Sequence, residues 1–267
     1  MNNLHRELAP ISGAAWSQIE AEVARTFKRA LAGRRVVDVK SPGGTALSGI
    51  GTGHQTNIAS PKQGVAAKLY DVKQLVQLTV PFTLQREAID SVERGSNDSD
   101  WQPAKTAANE LALAEDSAIF DGFAAAGITG IREGSSNAPT YLPADVADYP
   151  AAISQALEKL RLAGVDGPYS VLLGADAYTA LAEASDQGYP VIQHIKRIVS
   201  GDLVWAPALQ GGCVLSTRGG DYELHLGQDL SIGYTSHTDT TVQLYLRETL
   251  TFLMLTSEAS VSIAAGE

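Results

Sequence analysis

Side chains capable of chemistry are few in this 267-residue chain, and they are scattered. His5, His54, His194, His225 and His237 fall on different predicted elements, with no HExxH or other paired spacing, so a catalytic metal site finds no support. Cys213 stands in the apolar run GGCVLS, where a buried inert thiol is the favoured reading over a nucleophile; as the only cysteine it also rules out a disulfide framework. There is no G-x-S-x-G elbow. Gly49-Ile50-Gly51-Thr52-Gly53 has the glycines of a phosphate loop, but no strand is predicted to run into it, no helix opens after it, and no Lys-Ser/Thr follows. Asn97-Asp98-Ser99-Asp100 resembles the opening of a calcium loop without its glycine and distant glutamate, so it reads as a turn and helix cap. Glu115 projects toward a stripe of small residues; it is either a buried acid with a catalytic task or one paired with an arginine, and pairing is the favoured reading. Arg34 and Asp38, taken alone, read as surface charges.

The elements that must position these groups begin with residues 100–126, the longest uninterrupted helical pattern. A helix over 103–126 would be roughly 36 Å long. Ala104, Ala107, Leu111, Ala114, Ala118 and Gly122 fall on one side, and Leu113, Phe120 and Phe123 on another, so the helix is expected to lie between two layers. A second helix is predicted over 12–32, capped by Ser12, with Trp16, Ile19, Val23 and Phe27 at helical spacing and Gly33 at the stop. Arg34-Arg35-Val36-Val37-Asp38-Val39 reads as a short strand. Residues 41–73 are rich in Gly, Ser, Thr and Asn and too poor in apolar residues to build a core; a hairpin of that kind is marginal unless it lies on a neighbouring subunit. Residues 74–83 alternate as a strand, and 84–94 read as a short helix stopped by Gly95. After a turn-rich connector at 127–143 come helices at 149–163, 175–184 and 191–199 and strands at 169–173, 203–206 and 213–217. Residues 185–190 form an exposed tip. From Gly219-Gly220 onward the pattern is strands, including Tyr222/Leu224/Leu226, Val242/Leu244/Leu246 and Leu250/Phe252/Met254, as expected for an antiparallel sheet with one covered face. The result is an α+β layered unit with an α/β insert.

Composition narrows the partners. A formal net charge of -10 argues against nucleic-acid binding, which needs a basic surface to release counterions. The opening MNNLHRELAPIS has no basic stretch followed by an apolar core, and no run approaches a membrane span, so neither membrane nor export is expected and the cytoplasm is the expected location.

Several stretches, in order from one end to the other, resemble the encapsulins, the shell proteins also catalogued with linocin-type bacteriocins, and the actinobacterial members above all. They are Leu8-Ala9-Pro10 with Trp16, Gly33-Arg34-Arg35-Val36-Val37-Asp38-Val39, Pro81-Phe82-Thr83-Leu84, Val92-Glu93-Arg94-Gly95, Ser99-Asp100-Trp101, Gly164-Val165-Asp166-Gly167-Pro168-Tyr169, Gly188-Tyr189-Pro190, Trp205-Ala206-Pro207, Arg218-Gly219-Gly220-Asp221, the run from Leu226 to Tyr234 (LGQDLSIGY), and Glu248-Thr249-Leu250-Thr251-Phe252. The resemblance implies the tailed-phage major capsid fold of the Hong Kong 97 type: a peripheral domain in three parts (1–41, 74–134 and 220–267), an extended loop (42–73) and an axial domain (135–219). It implies a homo-oligomeric icosahedral shell, without catalysis of its own, that encloses a cargo enzyme through a C-terminal targeting peptide. Such cargo is typically a dye-decolourising peroxidase, sometimes a ferritin-like protein. Family positions for the cargo peptide carry over onto Phe27, Leu31, Arg34, Asp38, Asp229 and Ile232, and the loop Asp186, Gln187, Gly188 and Tyr189 is implied to line the five-fold pore. Some members bind flavin on a tryptophan after the Phe-Thr-Leu run; Gln85, Arg86 and Glu87 follow it here, and no cofactor is expected. The rival readings are a secreted protease or bacteriocin and a small oligomeric binding protein.

Overall fold

A computed structural model describes residues 3–266. Its first layer is organised by one 14-residue strand, Thr241–Met254, which pairs antiparallel with Val76–Gln85, Ser231–His237 and Tyr222–Leu226; Asp38–Val39 joins this sheet parallel to Tyr222–Leu226. Two helices cover one face. Helix α1, Gly13–Ala30, is capped by Ser12, whose Oγ accepts from the amide of Ala15, and it buries Ala15, Ile19, Val23, Phe27 and Ala30. Helix α2, Arg86–Glu93, follows, and Gly95 ends its turn at φ +97°. Helix α3, Gln102–Phe120, lies between α1 and the sheet. Its first turn is closed by Asp100, whose Oδ1 accepts from the amide of Gln102.

Helix α3 is shorter than its sequence pattern. Gly122 turns into the left-handed region at φ +87°, and the backbone of Gly130 comes so close that a Cβ there would stand 2.2 Å from the Gly122 nitrogen. Two glycines back to back fold residues 121–130 into a tight return, an approach no other residue pair allows. The apolar faces are also narrower than expected: Ala114 and Phe123 are both exposed.

The second layer is a mixed five-stranded sheet in the order Thr140–Tyr141, Ser260–Ala264, Gly212–Ser216, Tyr169–Leu173, Leu203–Trp205. Every residue of Tyr169–Leu173 and Gly212–Ser216 is buried, as expected of strands covered on both faces. Helices α4 (Tyr149–Leu162), α5 (Ala175–Glu183) and α6 (Val191–Ile198) surround them. The last strand corrects an expectation. Ser260–Ala264 leaves the first sheet and pairs with Gly212–Ser216, so the final strands do not all build one sheet.

Two further expectations change. Residues 34–39 are not one strand: Gly33–Arg35 is a 3-10 turn, and only Asp38–Val39 is extended. The glycines at 49–53 are themselves part of a strand. Gly49–Ile58 and Ala67–Gln74 form a two-stranded hairpin, with a bulge between Gly51 and Gln55, that pairs with no other described strand. Ile58, Val65, Leu69, Tyr70 and Val72 on this arm are all exposed.

Candidate functional site: a groove beside the first helix

Where α1 ends, its last turn and the following 3-10 turn form one wall of an open groove of about 430 Å³, lined by Ala24, Phe27, Lys28, Leu31, Arg34, Arg35, Asp229 and Leu230. The floor is apolar and the rim charged. Arg34 stands across it, its guanidinium carbon 5.2 Å from the centre of the Phe27 ring.

Arg34 is held from behind. Its Nε and Nη2 donate to the two carboxylate oxygens of Glu115 at 2.8 and 2.6 Å, its Nη1 donates to Asp229 Oδ1 at 2.9 Å, and Nη2 also reaches Glu248 Oε2 at 3.3 Å. Glu115 and Glu248 are fully buried. Burial works against the arginine's charge, but the hydrogen bonds and charge of Glu115, with Asp229, outweigh it and hold the guanidinium above its ordinary pKa. For Glu248, burial first and the neighbouring Glu115 second push the carboxyl well above the usual carboxylate range. Glu115 is thus the arginine-paired acid that its position in the small-residue stripe suggested.

Asp116, next along α3, clamps the turn itself. Its Oδ2 accepts from the amide of Ala32 at 2.7 Å and its Oδ1 from that of Gly33 at 2.8 Å. These two bonds bend the chain after α1 and explain why 34–39 does not run straight as a strand. Gly33 is needed there because a Cβ would lie 2.7 Å from Ile119 Cδ1 and 2.9 Å from Asp116 Oδ1.

Of the six positions expected to form the peptide site, Phe27, Leu31, Arg34 and Asp229 come together. The other two do not line this groove. Asp38 lies in a separate, smaller cleft of about 170 Å³ with Ser216, Thr217 and Tyr222, where its Oδ2 accepts from the amide of Gly220 at 2.6 Å. Ile232 is 4 % exposed and pairs across the sheet with Leu246, beneath the surface. Alternation explains this: Leu230 and Ile232 both point toward the covered side, but Leu230 sits at the strand's entry, where the groove opens. Lys28, Arg35 and Leu230 were missed, as were the supporting Asp116 and Glu248. A signal existed for Glu248, since the alternation Leu244, Leu246, Leu250, Phe252 puts residue 248 on the apolar face.

The other expected positions are plainly located. Asp186 and Tyr189 are the paired residues of a small exposed hairpin, Ser185–Asp186 with Tyr189–Pro190, whose turn is made by Gln187 (φ +47°) and Gly188 (φ +84°). The Tyr189 ring is clasped between His194, at 4.9 Å between ring centres, and the Arg197 guanidinium at 5.1 Å. Cys213 is fully buried, and burial pushes its thiol up to about 12, which leaves it protonated and unreactive at neutral pH. Among the described residues no group of three or more His, Cys, Asp or Glu is placed to hold a metal, and no helix is long and apolar enough to cross a membrane.

Comparison with known proteins agrees with this architecture. The family described as "Encapsulating protein for peroxidase" matches residues 1–251. The type 1 encapsulin shell protein of Rhodococcus erythropolis is 60% identical over 264 residues, covering 99% of this chain and 100% of the relative. Among solved structures, a virus-like particle from Pyrococcus furiosus superposes with a TM-score of 0.65 at 15% identity, covering 92% of this chain and 97% of its own, and Mycobacterium phage Bobi with 0.56 at 11%, covering 88% and 90%. The chain therefore belongs to the linocin-type encapsulin shell-protein family and has the fold of tailed-phage capsid subunits.

Proposed function

We propose that this chain is a non-catalytic shell subunit that closes into a hollow icosahedral particle in the cytoplasm and takes in one enzyme as cargo by its C-terminal targeting peptide. The observation that carries the shell reading is the hairpin. Its apolar side chains, Leu69 and Tyr70 above all, stand 60 and 69 % exposed on a two-stranded arm with no core beneath it. Such an arm gains its stabilisation by lying on another copy of the chain. On this reading 42–73 is the intersubunit loop, 135–219 the domain at the symmetry axes, and the Asp186–Tyr189 hairpin borders the five-fold pore.

The groove beside α1 supports the cargo reading. An apolar floor with charged rims suits an extended, partly apolar peptide that orders as it binds. We take Phe27, Leu31, Arg34 and Asp229 as its contacts, with Lys28, Arg35 and Leu230 added. A dye-decolourising peroxidase is the first candidate cargo, in keeping with the family's description, and a ferritin-like protein the second. Size exclusion with light scattering on the purified protein tests the shell. The expected result is a particle many times the 28.1 kDa subunit; a stable solitary subunit overturns it.

A further inference from the structure

Glu248 poses a problem in the fold as it stands. Its Oε2 touches Arg34, but its Oε1 is fully buried and finds no hydrogen-bond donor. Both oxygens of Glu115 are already engaged by the same guanidinium, and the two acids share its Nη2. This site lies on the seam between the two apolar clusters: Leu111 and Leu246 on one side, Ile119 and Leu250 on the other. Both acids are fully buried, so no water of their own spreads a second negative charge.

The groups facing Glu248 can be enumerated element by element. Helix α3 brings Glu115, with Asp116 beside it turned to the Ala32 and Gly33 amides; the turn after α1 brings Arg34, and the loop before Ser231 brings Asp229. Arg35 and Lys28 stand on the groove's outer rim, and Arg247 alternates to the sheet's other face. Val76–Gln85, the neighbouring strand, has no titratable side chain and sets Leu78 against Glu248. One cation thus meets three carboxyls, of which two converge on one nitrogen.

We infer that Glu115 and Glu248 are positioning residues for the cargo groove, holding one proton between them so that Arg34 is presented as a fixed wall beside Phe27. The inference rests on the cargo reading of that groove. The shared proton gives the orphaned oxygen of Glu248 a partner and leaves one net carboxylate to pair with Arg34. Burial and Glu115 both favour the protonated form, in the same direction. When that proton leaves, two anions pull on one guanidinium, and the wall over Phe27 shifts.

The sign of the pH effect follows. The folded state holds a proton that the unfolded chain releases above the ordinary carboxylate value of 4.5, so stability falls as pH rises from there toward alkaline conditions. The test compares assembled wild-type shells with Glu248→Gln, Glu115→Gln and the double variant. One arm reads apparent Tm from about pH 8 to about pH 10, above the Asp116 titration. The other reads loading of a fluorescent protein bearing the C-terminal segment of a dye-decolourising peroxidase, mixed with dissociated subunits before the shells close again at each pH. Wild type is expected to lose several degrees and several-fold in loading across that range. Either single substitution flattens both slopes, because the remaining carboxylate serves Arg34 alone, and Glu248→Gln loads several-fold more probe than wild type at the alkaline end. The double variant, with Arg34 stripped of both buried partners, loses Tm and loading at every pH. A slope that persists in Glu248→Gln, or a Tm loss in that variant at neutral pH, overturns the shared proton. Flattened Tm slopes with wild-type loading that does not respond to pH overturn the positioning role alone, and a wild-type shell that takes up no probe at any pH overturns the groove reading beneath it.

Discussion

The hairpin Gly49–Ile58/Ala67–Gln74 and the layer of α1 and α3 on the first sheet are assembled on opposite principles. In the layer, Ile19, Leu84, Leu111, Ile119 and Phe252 are at most 1 % exposed, and the acids that intrude are tied to Arg34 or to backbone amides. In the hairpin nearly every residue faces solvent, and its register is interrupted by a bulge. One region is stable by what the subunit contains; the other makes sense only through what it touches. Among the described residues the arm is tied down only at its base, where the amides of Gly43 and Gly44 donate to the carbonyls of Leu226 and Gly227, and by Lys73 Nζ, which donates to the carbonyl of Gly127.

The largest effect should come from removing the arm. Deletion of 44–68 is expected to abolish closed particles while leaving the subunit folded, since Trp16, Trp101 and Trp205 all lie outside the arm. Electron microscopy reads the first half and near-ultraviolet circular dichroism the second. Intact shells, or a collapsed tryptophan spectrum, would break the contrast between a self-sufficient layer and a dependent arm.

Next in size is Arg34→Ala, which attacks the layer where it is least like an oil drop. It leaves Glu115 and Glu248 buried without their cation, and breaking a buried pair in this way costs about 3–5 kcal/mol. Cargo loading should fall with it, because the wall over Phe27 is gone. Asp38→Ala, in the other cleft, should leave loading as in wild type. Denaturant unfolding and co-purified cargo give the two readouts, and equal loss of loading from both substitutions would mean that the groove extends beyond the residues that line it.

Much of this contrast could be read from residues. Helical spacing located α1 and α3, Gly33 marked the region where α1 ends and Gly95 the end of α2, and the polar composition of 41–73 identified the part without a core. What escaped were long-range decisions. Nothing local in residues 34–39 reveals that Asp116, more than eighty positions away, bends the chain by taking two amides; a short run rich in valine reads as a strand until that partner is known. Helix α3 stops at Phe120 because Gly122 meets Gly130 across a turn, a contact invisible to periodicity. Ser260–Ala264 alternates equally well for either sheet, and only tertiary packing decides which it joins. Asp38 and Ile232 show the same limit at the site. Expected beside Phe27, they lie outside the groove, because side-chain direction and the turn at 33–35 point them away from it.

The smallest expected effect is also the most specific to this turn. Burial raises the Asp116 carboxyl from its ordinary 3.8 to about 7, against the pull of the Ala32 and Gly33 amides. Because the folded state holds the proton more tightly than the unfolded chain, the stability this group contributes is fully present below pH 3.8 and declines as pH rises. It is lost above about pH 7. Asp116→Asn removes the titration but keeps one acceptor; its amide group must then face one of the two N–H donors, at a cost of about 1 kcal/mol. The variant should therefore have a flatter stability profile than wild type, lying within that cost of it at the acid end, where wild type holds its proton, and gaining on it as pH rises toward 7. Urea unfolding of both proteins across that range measures the slope. A wild-type slope in Asp116→Asn would place the acid-side titration elsewhere in the seam, with Glu248, whose influence continues above neutral pH, as the group to test next.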